Sequence, residues 1–106
     1  MRTYKVIFYV DESGNSPFED WIESIDAVIR AHIFVVIERV ACGGSKKSIK
    51  ALKGGISEIK IPKGPGYRVY FGMDGQKLIV LLVGGDKSTQ KKDIQKARKL
   101  WSEYAS

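Results

Sequence analysis

Polar and apolar residues alternate over residues 3–10, with Tyr4, Val6, Phe8 and Val10 on one side and Lys5, Ile7 and Tyr9 on the other. Successive strand side chains point to opposite faces, so this pattern predicts a first strand, which Asp11-Glu12-Ser13-Gly14-Asn15 ends. The period then lengthens. Ser16, Pro17 and Glu19 make a capping-box signature with proline at the first helical position, predicting a short helix to about Ser24 with Phe18, Trp21, Ile22 and Ile25 on one face. Residues 26–41 contain neither Gly nor Pro and close on Gly43-Gly44. Despite the β-branched run Ile33-Phe34-Val35-Val36-Ile37, they predict a buried helix whose inner side carries Val28, Ala31, Val35 and Ile37 or Val40.

Residues 43–55 are rich in Gly, Ser and Lys and predict a surface loop with a helical turn around Ile49 to Leu52. Three strands are expected at 57–62, 66–72 and 77–83, joined by turns at Lys63-Gly64-Pro65 and Met73-Asp74-Gly75. The last strand is apolar on both faces from Leu78 to Val83 and belongs inside the sheet, whereas Pro62 ends its strand or marks an edge. Residues 89–104 form a final helix with Ile94, Ala97, Trp101 and Tyr104 as its apolar stripe. The predicted architecture is α+β, in the order β-α-α-β-β-β-α, with a mostly antiparallel sheet and the helices packed on one face.

Composition fits one domain spanning 1–106: the chain has 106 residues, 43% hydrophobic and 28% charged. Its longest apolar run is too short to cross a bilayer, and its start lacks a secretory signal, so a cytoplasmic protein with no membrane partner is expected. Cys42, the one cysteine, excludes an internal disulfide and is expected as a small buried residue. Charge is unevenly spread. Residues 1–42 hold 4 Lys/Arg against 7 Asp/Glu, while residues 43–106 hold 14 against 5. Such asymmetry suits a phosphate-rich partner, and equally a solvated lysine surface kept for solubility.

The excess is ordered along the strands. Ile59, Ile61, Tyr67, Val69 and Phe71 alternate with Lys60, Arg68 and Tyr70, so the second set shares the face opposite the apolar one. Leu52-Lys53-Gly54-Gly55, Glu58-Ile59-Lys60, Gly64-Pro65-Gly66-Tyr67-Arg68-Val69-Tyr70-Phe71 and the run from Leu82-Val83-Gly84-Gly85-Asp86-Lys87 to Asp93-Ile94 resemble, in this order, the addiction module killer protein branch of the RelE/ParE toxin superfamily, close to the HigB-like toxins. The resemblance implies a RelE-like fold and a bacterial toxin that cleaves mRNA on the ribosome without metal or other cofactor. It also implies a cognate antitoxin, a helix-turn-helix protein from the adjacent gene. ParE-like members of the superfamily poison DNA gyrase instead, and a basic RNA-binding module without activity is a third possibility.

Metal-independent RNA cleavage needs a base for the attacking 2′-hydroxyl, cations for the charge developing on phosphorus, and an acid for the leaving oxygen. By resemblance, Arg68, Lys60 and Lys87 are the catalytic candidates. Arg68 offers a planar fork for two phosphate oxygens, or alternatively pairs with a carboxylate such as Glu58. Lys60 matches a lysine used in place of the usual histidine, and a lysine acts as a base only where burial or like charges disfavour its protonated form. Lys87 precedes the last helix as a site residue or as a plain surface lysine. Tyr70 is a stacking platform for a base or a cross-strand packing residue. Lys50, Lys53, Lys63, Lys91 and Lys92 form an electrostatic apron for RNA, and the same surface suits an acidic antitoxin segment. Glu58 departs from the family pattern, standing where a second lysine is expected, and serves as base or as tether for Arg68. His32, the lone histidine, falls in the second helix, remote from the site.

Overall fold

The computed structural model describes residues 3–105; Met1, Arg2 and Ser106, the ends of the expected 1–106 domain, lie outside it. The elements follow one another as β1 (Lys5–Phe8), α1 (Pro17–Glu23), α2 (Ala27–Ala41), β2 (Ile49–Ala51), β3 (Ile56–Ile61), β4 (Tyr67–Asp74), β5 (Leu78–Gly85) and α3 (Gln90–Ala105). Single 3-10 turns at Lys46–Ser48 and Lys87–Thr89 lead into β2 and α3. The five strands form one sheet in the order β1-β5-β4-β3-β2. Only β1 runs parallel to its neighbour, β5; the other pairs are antiparallel. The fold is α+β with a mostly antiparallel sheet, as the periodicity predicts.

Local chemistry accounts for the helix starts. The Ser16 hydroxyl accepts a hydrogen bond from the Glu19 amide at 3.4 Å with Pro17 in the first turn, and the Asp26 carboxylate accepts from the Val28 amide at 3.1 Å. Gly43, with φ +86°, supplies the left-handed residue that ends α2. β3 stops at Ile61, just before Pro62, and β5 lies inside the sheet between β1 and β4.

Four expectations need correction. The helices occupy both faces of the sheet: α1 and α2 cover Ile59, Ile61, Val69, Phe71, Ile79 and Leu81, whereas α3 covers Ile56, Tyr70, Val80, Leu82 and Val83 through Ala97 and Leu100. A sheet whose central strand is apolar on both sides leaves one side in water unless a helix covers each. Second, the expected helical turn at 49–52 is the edge strand β2, with Ile49 opposite Ile59. Third, the inner side of α2 is only partly the expected one: Ile37 and Val40 are buried, joined by Ile33, Val36 and Ala41, while Val28, Ala31 and Val35 are exposed. Fourth, Cys42 is exposed at the end of α2.

An irregularity in β5 decides which residues face α3. Tyr70 pairs with Val83 and Phe71 with Leu81, so Leu82 is an extra residue opposite the Tyr70/Phe71 step. Leu82 and Val83 therefore both face α3, and the alternation beyond them is reset. Gly84 then points toward Trp21 on the α1 side, and Gly85 toward Thr89 and Asp93 on the α3 side. No helix among the described residues is long and apolar enough to cross a membrane.

Candidate functional site

The register brings the singled-out residues into rows across the sheet. Lys60 on β3 lies opposite Arg68 on β4, which lies opposite Gly85 on β5; one step inward, Glu58 lies opposite Tyr70, and Tyr70 opposite Val83. Strand alternation puts all of these on the α3 face. The Gly64-Pro65-Gly66 turn closes the end of the row. A side chain at Gly66, whose φ is +79°, would stand 3.4 Å from Arg68 Nη1 and 3.7 Å from Lys87 Cβ. The Lys87 amide donates to the Pro65 carbonyl at 3.4 Å. Lys60, Arg68 and Lys87 thus come from three elements to one end of the sheet, where Lys60 and Lys87 are exposed.

The start of the last helix is fixed by its own cap. Asp86 accepts from the Ser88 amide at 2.8 Å and from the Ser88 hydroxyl at 2.5 Å, and its own amide donates to Thr89 Oγ1 at 3.2 Å. The Ser88 hydroxyl, aided by backbone amides and by the positive charge of Arg68, holds the Asp86 carboxyl below the usual carboxylate range. Lys87 is therefore presented from a braced turn rather than from a free loop.

Beneath the exposed lysines lies a buried polar cluster. Arg68 is 7% exposed and Glu58 5%. Arg68 Nη1 donates to the Gly66 carbonyl at 2.9 Å, and its Nε stands 3.5 Å from Glu58 Oε1 without hydrogen-bond geometry. Gln90, the first residue of α3, donates from Nε2 to the same Glu58 oxygen at 2.9 Å. Asp93, 8% exposed, accepts from Thr89 Oγ1 at 2.5 Å. Gly85 is required here, because a Cβ would overlap the Asp93 carboxylate. The ion contact anticipated as the alternative reading of Arg68 is present, and Glu58 is its tether.

Tyr70 is not a stacking platform. It is 0% exposed, packed among Ile56, Val80 and Leu82, and presents no face to a base. Among the described residues its hydroxyl finds no partner with hydrogen-bond geometry, although the Glu58 carboxylate is close enough to act on it. Burial pushes its pKa well above the ordinary phenol value, the nearby charges of Glu58 and Asp93 add to the rise, and Arg68 opposes it. Sequence alternation placed Tyr70 on the correct face, but the helix that covers that face lies 20 residues further along the chain, at residues 90–105.

The apron lysines 50, 53, 63, 91 and 92 are all exposed. Lys50 sits on β2 opposite Glu58, and the backbone of Lys53 is anchored by Arg98, whose Nε donates to its carbonyl at 2.8 Å. Lys63 belongs to the β3–β4 turn, and Lys91 and Lys92 to the first turn of α3. His32 is on α2, across the sheet from Arg68, as its position in the sequence suggested. Gln90, Thr89 and Asp93 were missed; the Asp86 to Thr89 spacing signals the helix start, but nothing in the sequence marks Gln90 as reaching Glu58.

Fold and site together define a small α+β protein with helices on both sheet faces and a cationic end built over a buried Arg–Glu contact. The chain belongs to the family of phage-derived Gp49-like proteins (DUF891), whose model matches residues 20–102, from α1 to the last turns of α3. This is a toxin-like family, often RelE-related. The chain is also 40% identical over 87 residues to a protein of Haemophilus influenzae described as an uncharacterized protein, a match covering 81% of this chain and 87% of the other.

Proposed function

We propose that the protein is the toxin half of a toxin-antitoxin pair and cleaves mRNA on the ribosome as a metal-independent endoribonuclease. The observation carrying this reading is the meeting of Lys60, Arg68 and Lys87 at one end of the sheet, beside the Gly64-Pro65-Gly66 turn. In this mechanism the 2′-hydroxyl attacks the adjacent phosphorus and the 5′-oxygen leaves, giving a 2′,3′-cyclic phosphate. Arg68, aimed by Gly66 and Glu58, neutralises the developing charge. Lys60 and Lys87 flank it from solvent and serve in proton transfer and charge neutralisation. Glu58 is committed to Gln90 and Arg68, and so acts by positioning. The basic surface is the landing place for an acidic segment of a helix-turn-helix antitoxin encoded by the adjacent gene.

A second reading, an inhibitor of DNA gyrase that acts by binding alone, draws support from the near-complete burial of Arg68. The test uses Lys60, because truncating Arg68 would strand a buried Glu58 charge and confuse folding with chemistry. Inducing the wild-type chain should arrest growth and create new mRNA 5′ ends. Lys60→Ala should lower cleavage by roughly 100-fold or more while leaving the melting temperature unchanged. Arrest with intact mRNA and accumulating DNA breaks would replace this proposal with the gyrase reading.

A further inference from the structure

With Tyr70 buried, the cationic end needs another surface to hold a nucleobase, and the other side of the same turn supplies one. Tyr67 and Arg68 are consecutive on β4 and point to opposite faces, so the turn at 63–66 has Arg68 and Lys87 on one side and the Tyr67 ring on the other. Gly64, with φ +50°, lies against that ring: a Cβ there would be 3.4 Å from Tyr67 Cε2. Trp21 meets Tyr67 edge to face, with centroids 6.2 Å apart at 62°. Both rings are half-buried, whereas Phe18, behind Trp21 at 5.8 Å, is fully buried. Trp21 also rests directly on Gly84, where any Cβ would overlap the indole. The two rings therefore form a ledge, packed from behind by Phe18 and Gly84 and partly exposed, one residue removed from the cationic end.

We infer that Tyr67 and Trp21 form the stacking site for an unpaired nucleobase attached to the phosphate held by Lys60, Arg68 and Lys87, which makes the substrate class single-stranded RNA. This rests on the nuclease reading for its phosphate site. A nucleotide's base and phosphate leave its sugar in different directions, so a strand bending around the glycine turn places the phosphate on one side and the base on the other. A duplex keeps its bases stacked and offers no free face to the ledge. Lys63, exposed in the turn between the two sides, lies along the strand's path. Base–aromatic stacking of this kind tolerates any base, so the ledge supplies affinity and register rather than sequence preference.

The test is a fluorescence titration. The chain has two tryptophans, and Trp101→Phe, in the cluster beneath α3, leaves Trp21 as the sole indole. The probe is a 5′-labelled, 2′-O-methyl RNA strand of mixed sequence, which lacks the attacking hydroxyl and is not cleaved. Binding of the single strand should quench Trp21 saturably, and the same strand annealed to its complement should not. Tyr67→Leu keeps an apolar side chain without a stacking face and should weaken binding by about tenfold. Saturable binding by label anisotropy that Lys60→Ala weakens, with Trp21 emission and Tyr67→Leu affinity unchanged, would overturn the ledge and leave the phosphate site standing. No binding of either probe would overturn the ledge, while the appearance or absence of new mRNA 5′ ends on induction decides the nuclease reading separately.

Discussion

Tyr70 holds its phenol hydroxyl in the middle of a sheet face, directly opposite Glu58, without a well-aligned hydrogen bond among the described residues. A buried hydroxyl that forms no hydrogen bond contributes desolvation cost without compensation. Tyr70→Phe should therefore leave stability at neutral pH within about 1 kcal/mol of wild type, or raise it. Alkaline pH separates the two chains further. The folded-state pKa is raised, so the stabilising neutral phenol is fully present below the ordinary value of 10.0 and is lost as pH climbs through the folded value. Above pH 10 the unfolded chain releases this proton and the folded chain keeps it, so wild-type stability falls with a slope that Tyr70→Phe lacks. Urea midpoints of both chains from pH 8 to 11 measure the difference. Tyr9 and Tyr104, whose pKa values are also raised, titrate in both chains and cancel in the comparison. Parallel curves would show that the hydroxyl is solvated.

At the scale of elements, helix and strand types were legible for every element but β2, because each rests on local periodicity and local caps: Ser16 and Gly43 act where the sequence placed them. What periodicity does not carry is the choice of face on a helix that is apolar nearly all round. α2 offers Val28, Ala31 and Val35 on one side and Ile33, Val36, Ile37 and Val40 on the other, and only its packing against the sheet decides between them. The same limit hid the site's buried half. Gly85 rather than Gly84 makes room for Asp93 because the extra residue in β5 resets which glycine faces α3, and no residue pattern announces a bulge. The choice of face has a measurable consequence. Ile33, 0% exposed, should cost roughly 2–5 kcal/mol when cut to Ala, whereas Val28, 76% exposed, should cost less than about 0.5 kcal/mol. Equal losses in urea denaturation would mean that α2 is turned as its stripe of Val28, Ala31 and Val35 suggests.

For the whole molecule, the division of charge along the chain becomes a division between elements. The acidic residues 11, 12, 19, 20, 23 and 26 lie on α1 and the turns beside it, whereas the exposed lysines 50, 53, 60, 63, 87, 91 and 92 lie on β2, β3, their turns and the start of α3. Such a layout orients an approaching polyanion before any specific contact forms. It also separates two kinds of lysine that composition alone treats alike. A lysine that only contacts phosphate releases counterions on binding, so removing it lowers affinity for every sequence and flattens the salt dependence, by roughly 0.7 in the log–log slope per contact on single strands. On the nuclease proposal, Lys91→Ala and Lys92→Ala should act this way and leave the cleavage rate at saturating RNA unchanged. Lys60→Ala should flatten the slope by a similar amount and, unlike them, depress the rate at saturation. Measuring binding between 50 and 200 mM salt, alongside single-turnover cleavage, distinguishes the groups on one set of samples. If Lys91 and Lys92 variants lose rate and not slope, the reacting phosphate lies over the first turn of α3 rather than at the Lys60–Arg68 row, and the division between apron and site must be redrawn around that turn.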